Sequence, residues 1–173
     1  RWTESRTENM LAMGHGRAQR QRTRMGGTRD GRITAYRLDL LQDAGAYARA
    51  GAVLPYMTRM MAGGVYDIAN VQFESNSVVT NTTPTVAYRG AGRPEASYTI
   101  ERLIDLIADE TGVDPVEVRR RNFIPADAFP YATHSPLAMY DSGNFAGALD
   151  ELLKHVKYDE LKKEQEKRRQ DPA

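Results

Sequence analysis

A change of period at one glycine-rich stretch constrains this chain more than any other feature. Val71 to Thr80 reads as a β-rich run, and Glu95 to Thr111 carries apolar residues at helical spacing. Between them lies Val86-Ala87-Tyr88-Arg89-Gly90-Ala91-Gly92-Arg93-Pro94-Glu95-Ala96. A strand, a glycine turn and a helix in this order bring backbone N–H groups and a helix N-terminus up to an anionic ligand. Arg89 and Arg93 flank the turn and add guanidinium donors suited to phosphate-like or oxo groups. The same glycines also suit an ordinary strand-to-helix turn that needs their dihedral freedom. The pattern alone leaves both readings open.

After the turn the chain reads as helices. Ala96, Ile100, Leu103, Ile104 and Ile107 fall on one helical face, Pro94 sits in the tolerant first turn, and Gly112 ends the helix. Asp114-Pro115-Val116-Glu117 reads as an N-cap followed by a helix to about Arg121. Pro125 to Asp141 reads as a loop. Asn144 caps a third helix whose Phe145, Ala148, Leu149, Leu152, Leu153 and Val156 trace one face. From Glu151 to Asp171 seven basic and six acidic residues intermingle, which describes a solvated helix.

Before the turn the chain reads mainly as strands. Thr7 to Met10 opens a short helical turn, which Gly14-His15-Gly16 breaks. Arg17 to Met25 is a strand with Arg20, Arg22 and Arg24 on one side and Gln19, Gln21, Thr23 and Met25 on the other. Thr28-Arg29-Asp30-Gly31-Arg32 is a hairpin signal. The return strand, Ile33 to Gln42, is apolar on both faces and therefore belongs inside a sheet. Pro55 to Met61 forms a short helix whose methionines serve packing. Gly63-Gly64 closes it, Tyr66 to Asn70 turns, and Val71 to Thr80 is a strand with a break at Asn76. Strands followed by helices give an α+β fold. One unit over 1–173 is expected: mainly strands in 1–85, the loop at 86–96, and mainly helices in 95–170.

The 173 residues are 40% hydrophobic and 27% charged, with a net charge of +1, enough for one globular domain. No apolar run reaches the roughly 18–20 residues of a membrane span, and no signal peptide is visible, so a cytoplasmic protein is expected. The chain opens at Arg1, without an initiator Met, as if cut from something longer. Without cysteine it has no thiolate metal site and no cysteine nucleophile. His15, His134 and His155 lack metal-ligand spacing. Nine arginines stand against three acids from Arg1 to Arg37. Such basic strands can bind nucleic acid, but base-stacking aromatics are nearly absent there, and a solvated or subunit-facing strand is the simpler reading. Glu95 and Glu101 suit the start of their helix, and Asp105, Asp109 and Glu110 its wet side. No hydrolase elbow, Walker loop or zinc-protease pattern occurs.

Taken together, the loop Val86 to Ala96 and several flanking segments resemble the molybdenum hydroxylases. This family includes xanthine dehydrogenase, aldehyde oxidoreductase and the large subunit of aerobic carbon monoxide dehydrogenase, to which the likeness is greatest. The flanking segments are Trp2-Thr3-Glu4-Ser5-Arg6, Asp43-Ala44-Gly45-Ala46-Tyr47, Thr80-Asn81, Asp114-Pro115, Arg119-Arg120-Arg121-Asn122-Phe123-Ile124 and Tyr140-Asp141-Ser142-Gly143-Asn144. The resemblance implies an internal piece of a longer molybdopterin-binding chain, inactive alone. It implies that Arg89 and Gly90 lie beside the molybdenum cofactor and that Ala91, Gly92 and Arg93 border the substrate pocket. Xanthine dehydrogenase carries an aromatic pocket wall where Ala91 stands. Carbon monoxide dehydrogenases carry Cys-Ser-Phe after the arginine, and that cysteine binds copper. Gly90 has no ligating side chain, so copper is not expected.

No catalytic residue is expected here, since the family's base glutamate belongs to a later segment. The resemblance further implies a molybdenum–molybdopterin cofactor in its cytosine dinucleotide form, with water as the oxygen source. Iron–sulfur clusters and FAD would sit on a small and a medium partner subunit, in a dimer of heterotrimers. Neither a nucleic-acid partner nor a membrane span is expected. Two alternatives stay open: a copper-independent enzyme that oxidises CO, and a non-catalytic domain binding anions or nucleic acid through Arg17 to Arg37.

Overall fold

Residues 1–135 and 137–170 are described by a computed structural model; position 136, within the Pro125–Asp141 stretch, and residues 171–173 lie outside it. The N-terminal helix α1 (Arg6–Ala12) is set by a capping box. Ser5 Oγ accepts from the Glu8 N–H, and the Glu8 carboxylate accepts from the Ser5 N–H. Strand β1 (Gln19–Gly27) then turns through Thr28–Arg32 into β2 (Ile33–Asp43), and the two pair antiparallel. A 3-10 turn (Ala50–Val53) and helix α2 (Leu54–Met60) cross over to β3 (Asn70–Val78). That strand pairs parallel with β2, as a crossover connection permits. Sheet order is β1-β2-β3, so the strand expected inside the sheet lies between two others, with only its Tyr36–Leu38–Leu40 side buried.

Beyond the loop, α3 (Arg93–Thr111) ends on Gly112 in the left-handed conformation, and α4 (Pro115–Asn122) starts at the Asp114 cap. A small hairpin, β4 (Tyr131–Ala132) with β5 (Met139–Tyr140), is followed by α5 (Phe145–His155) and α6 (Tyr158–Gln170). The fold is α+β. No helix among the described residues is long and apolar enough to cross a membrane.

One face of the sheet carries the core. Tyr36 and Leu38 of β2 meet Ile100, Ile104 and Ala108 of α3 and Val118 of α4. Alternation along β1 follows the sequence: Gln19, Gln21, Thr23 and Met25 turn toward the helices, and Arg20, Arg22 and Arg24 face solvent. Burying the Tyr36 ring raises its phenol pKa by desolvation, which keeps it neutral.

Five expectations change. Asn76 does not break β3; it stays in register opposite Leu41. The Pro125–Asp141 stretch holds the β4–β5 hairpin, too short to show in a period. The apolar face of α5 is not buried: Leu149 and Leu153 are partly covered, while Leu152 and Val156 stay exposed. Met57 is exposed as well, so α2 packs through Leu54, Pro55 and Thr58 rather than through that methionine. Asp105, expected only to meet water, accepts from Arg119 at 2.9 Å beside Glu101, which also receives the Tyr66 hydroxyl at 2.7 Å.

Asn122 closes the far end of this core. Fully buried, it accepts from the Ile33 N–H at 2.8 Å and donates to the carbonyls of Gly31 (2.8 Å) and Val118 (2.7 Å). One amide thus joins α4 to the β1–β2 turn and satisfies groups that water cannot reach. Asn122→Ala should lower the stability by roughly 2–4 kcal/mol, because a buried N–H and carbonyl lose their partners. The urea midpoint, compared with that of the parent, measures it.

Candidate functional site

The loop between β3 and α3 is built by two glycines with different tasks. Gly90 (φ +87°) and Gly92 (φ +85°) both occupy dihedrals that disfavour L side chains. At Gly90 an added Cβ would meet only the Pro94 ring, at 3.1 Å. At Gly92 it would lie 2.4 Å from the Met57 carbonyl carbon and 2.5 Å from the Thr58 nitrogen. The loop therefore rests its backbone directly on α2, and α3 starts from that contact. Consecutive turns close it: Ala91 N–H donates to the Tyr88 carbonyl (2.8 Å), and Arg93 N–H to the Gly90 carbonyl (3.0 Å). The N–H groups of Gly90 and Gly92 make no hydrogen bond among the described residues.

Arg89 and Arg93 are exposed, and neither guanidinium has an acidic partner among the described residues. Ala91 is half-buried. The five residues singled out from the sequence, Arg89, Gly90, Ala91, Gly92 and Arg93, are contiguous and stand at the N-terminal end of a 19-residue helix. Two free guanidiniums, two free N–H groups and a helix dipole form a donor set for an anion such as a phosphate or an oxo group. Glu95, the acidic residue in the first turn of α3, is engaged by Arg17 at 3.1 Å.

The approach to the loop is held by Asp43, at the end of β2. Its carboxylate accepts from the Thr80 hydroxyl (2.7 Å), the Gly45 N–H (2.8 Å) and the Thr82 hydroxyl (3.1 Å). These bonds, from Thr80 and Gly45 above all, hold its pKa below the ordinary 3.8. Thr85, buried, donates to the Asp43 carbonyl at 2.6 Å. The segments Asp43 to Tyr47 and Thr80-Asn81, distant in sequence, thus form one support for the loop. The sequence reading missed Arg17, which reaches the Arg89 carbonyl, Glu95 and the Tyr88 ring. It is the first residue of the strand read from the sequence, and nothing in its period marks it out.

The basic strands are less free than their sequence suggests. Arg32 pairs with Asp67, and Arg37 with Asp39 and Glu74. Arg20, Arg22 and Arg24 form an exposed stripe, and Tyr36, the nearby aromatic, is buried on the opposite face. Histidines do not gather: His15 meets the Met10 carbonyl and His134 that of Ile68. Among the described residues no three His, Asp or Glu side chains come together to hold a metal ion directly.

Residues 1–123 match the molybdopterin cofactor-binding domain. The chain is 34% identical over 176 residues to the carbon monoxide dehydrogenase large chain of Hydrogenophaga pseudoflava, covering 99% of this chain and 22% of that one. Its fold superposes on quinoline 2-oxidoreductase from Pseudomonas putida 86 with a TM-score of 0.89 and 30% identity, over 97% of this chain and 22% of that one. On a Cu,Mo-CO dehydrogenase the TM-score is 0.85 at 33% identity, over 98% and 22% of the two chains. The chain therefore spans 22% of the length of each of these relatives.

The two glycines should separate on substitution. Gly92→Ala combines a positive φ with a backbone collision and should cost roughly 2–4 kcal/mol; Gly90→Ala, which meets only a proline ring, should cost about 1–2 kcal/mol. Denaturant unfolding of both variants ranks them. For Asp43 the folded pKa is the depressed one. Its contribution is complete above the ordinary value of 3.8 and is lost as pH falls through the lower folded value. Asp43→Asn should flatten the acid limb of a stability-against-pH curve relative to the parent.

Proposed function

The chain belongs to the molybdopterin cofactor-binding domain family, and on that premise we propose that its Tyr88–Arg93 loop lies against the cofactor of a molybdenum hydroxylase. The observation that carries this reading is the donor set at the start of α3: Arg89 without an acidic partner, beside the free N–H groups of Gly90 and Gly92. It fits a phosphate- and oxo-bearing pterin group in charge and in donor type. When bound, that cofactor supplies a two-electron oxidation with water as the oxygen source.

The chain's own residues bind and shape. Arg89 donates to an anionic or oxo group at the cofactor and offsets negative charge that grows during the reaction. Gly90, which has no side chain and only the Pro94 ring beside it, would let the backbone come close to that group. Ala91 forms a low pocket wall, which leaves room for an organic substrate wider than CO. Gly90 and Ala91 carry this preference for an organic carbon over CO; the relatives do not decide it, since quinoline 2-oxidoreductase and a Cu,Mo-CO dehydrogenase match the chain about equally. Gly90 offers no ligand atom, so copper has no side chain to bind here. The base that completes the reaction is assigned to a glutamate outside this chain. This reading gives the cofactor its cytosine dinucleotide form. The same reading passes the electrons to iron–sulfur and FAD subunits, in a cytoplasmic dimer of heterotrimers.

Three measurements on the full-length enzyme with its partner subunits test this. Metal analysis should find molybdenum and pterin without stoichiometric copper; copper at one per molybdenum would overturn the copper-free site. Dye reduction should proceed with aldehydes or N-heterocycles and not with CO; CO-dependent reduction would instead support a copper-independent CO oxidase. Arg89→Ala should lower turnover about 10²-fold or reduce molybdenum occupancy. Unchanged turnover and metal content would remove Arg89 from the site.

A further inference from the structure

Two segments far apart in sequence meet in front of β1. His15 and Thr85 form a parallel bridge. Pro84 accepts from the His15 N–H at 3.3 Å, and His15 accepts from the Val86 N–H at 2.8 Å. The approach needs small residues: a Cβ on Gly16 would lie 2.6 Å from the Tyr88 Cβ. The chain then enters Arg17 at φ +65°, a left-handed conformation that long side chains seldom adopt. That turn sends the Arg17 guanidinium to three groups at once. It donates to the Arg89 carbonyl, pairs with Glu95 Oε2 at 3.1 Å, and stacks over the Tyr88 ring at 5.2 Å from its centroid. The Glu95 carboxylate is only 10% exposed, so the pair is sheltered from solvent on that side.

We infer that Arg17 is a positioning residue for the cofactor-side loop, holding the Arg89 main chain so that the Arg89 guanidinium stays free for an anionic group. The inference rests on the reading that Arg89 faces the cofactor. An arginine suits the task because its planar fork can serve a carboxylate and a carbonyl together while its face lies on a ring. A lysine is a point donor and cannot hold all three contacts. Glu95 belongs to the first turn of α3, so the pair ties the loop backbone to the helix that carries it. Arg17 itself touches the main chain of Arg89, and its effect on the cofactor passes through that residue.

The test uses the full-length enzyme assembled with its partner subunits, with Arg17→Met, Arg17→Lys and Arg89→Ala compared in the assembled fraction from size exclusion. Molybdenum per assembled chain and the Mo(V) electron paramagnetic resonance signal are read alongside turnover. Arg17→Met should lower molybdenum content about tenfold, the scale of one charge-assisted hydrogen bond. The loaded remainder should show a shifted Mo(V) signal, and Arg17→Lys should recover part of both. Parental metal content and signal in assembled Arg17→Met, with both altered in Arg89→Ala, overturn the role of Arg17 and leave the cofactor reading intact. A loss in Arg17→Met that tracks only the yield of assembled protein overturns it as well, since that is a structural effect. If Arg89→Ala is itself unaltered, the cofactor reading fails and this inference fails with it.

Discussion

The contact of Gly92 with the Met57–Thr58 peptide is the constraint on which the candidate site depends. Backbone meets backbone there at a distance that leaves no room for a Cβ. It sets where α3 begins, and with it the position of the N-terminal end that carries the Arg89–Arg93 donors. It also sets the depth at which Ile100 and Ile104 enter the core against Tyr36 and Leu38. Any side chain at position 92 would have to push α2, packed through Leu54, Pro55 and Thr58, away from the loop. The glycine turn therefore acts first as a spacer between two helices and second as a source of N–H donors.

Around that contact the irregular segments are held by side chains reaching to the main chain. Asp43 holds Gly45 and the two threonines of the Thr80–Thr82 segment. Asn122 holds the β1–β2 turn, and Arg17 holds the loop. Loops have few apolar groups to bury, so their order comes from polar partners placed by regular elements. These side chains stand at the ends or entries of strands and helices: Asp43 at the end of β2, Asn122 at the end of α4, Arg17 two residues before β1. Regular structure thus delivers the fixings, and the fixings deliver the loop. The guanidiniums of Arg89 and Arg93 are left over from this network, which makes them available for a ligand.

Much of the scaffold was legible in the sequence because it follows local rules. The Asp114 and Asn144 caps, the Gly112 stop, the Asp30-Gly31 turn and the alternation of β1 all rest on chemistry within a few residues. The inner place of β2 was legible too, from apolar content on both its faces, although only the Tyr36–Leu38–Leu40 face is buried and Arg37, Asp39 and Leu41 line the open one. The parallel pairing of β3 was not, since pairing partners leave no local trace. The β4–β5 hairpin was too short to show a period. The α5 face misled in the other direction: an amphipathic stripe marks a surface able to pack, and in this chain Leu152 and Val156 remain exposed.

The sequence by itself determined most of the long elements and the family. Residue order decides caps, turns and periods, and the run from Val86 to Ala96 with its flanking segments was sufficient to mark the molybdopterin-binding family. Tertiary structure alone decided which glycine is indispensable. Gly90 and Gly92 read alike in sequence, and only the position of α2 makes one a contact and the other a turn. It alone brought Arg17 across 72 positions to the Arg89 carbonyl and Asp43 across 37 positions to Thr80. Such pairings depend on how strands and helices pack in space, and packing is a property of the whole chain that no local period encodes.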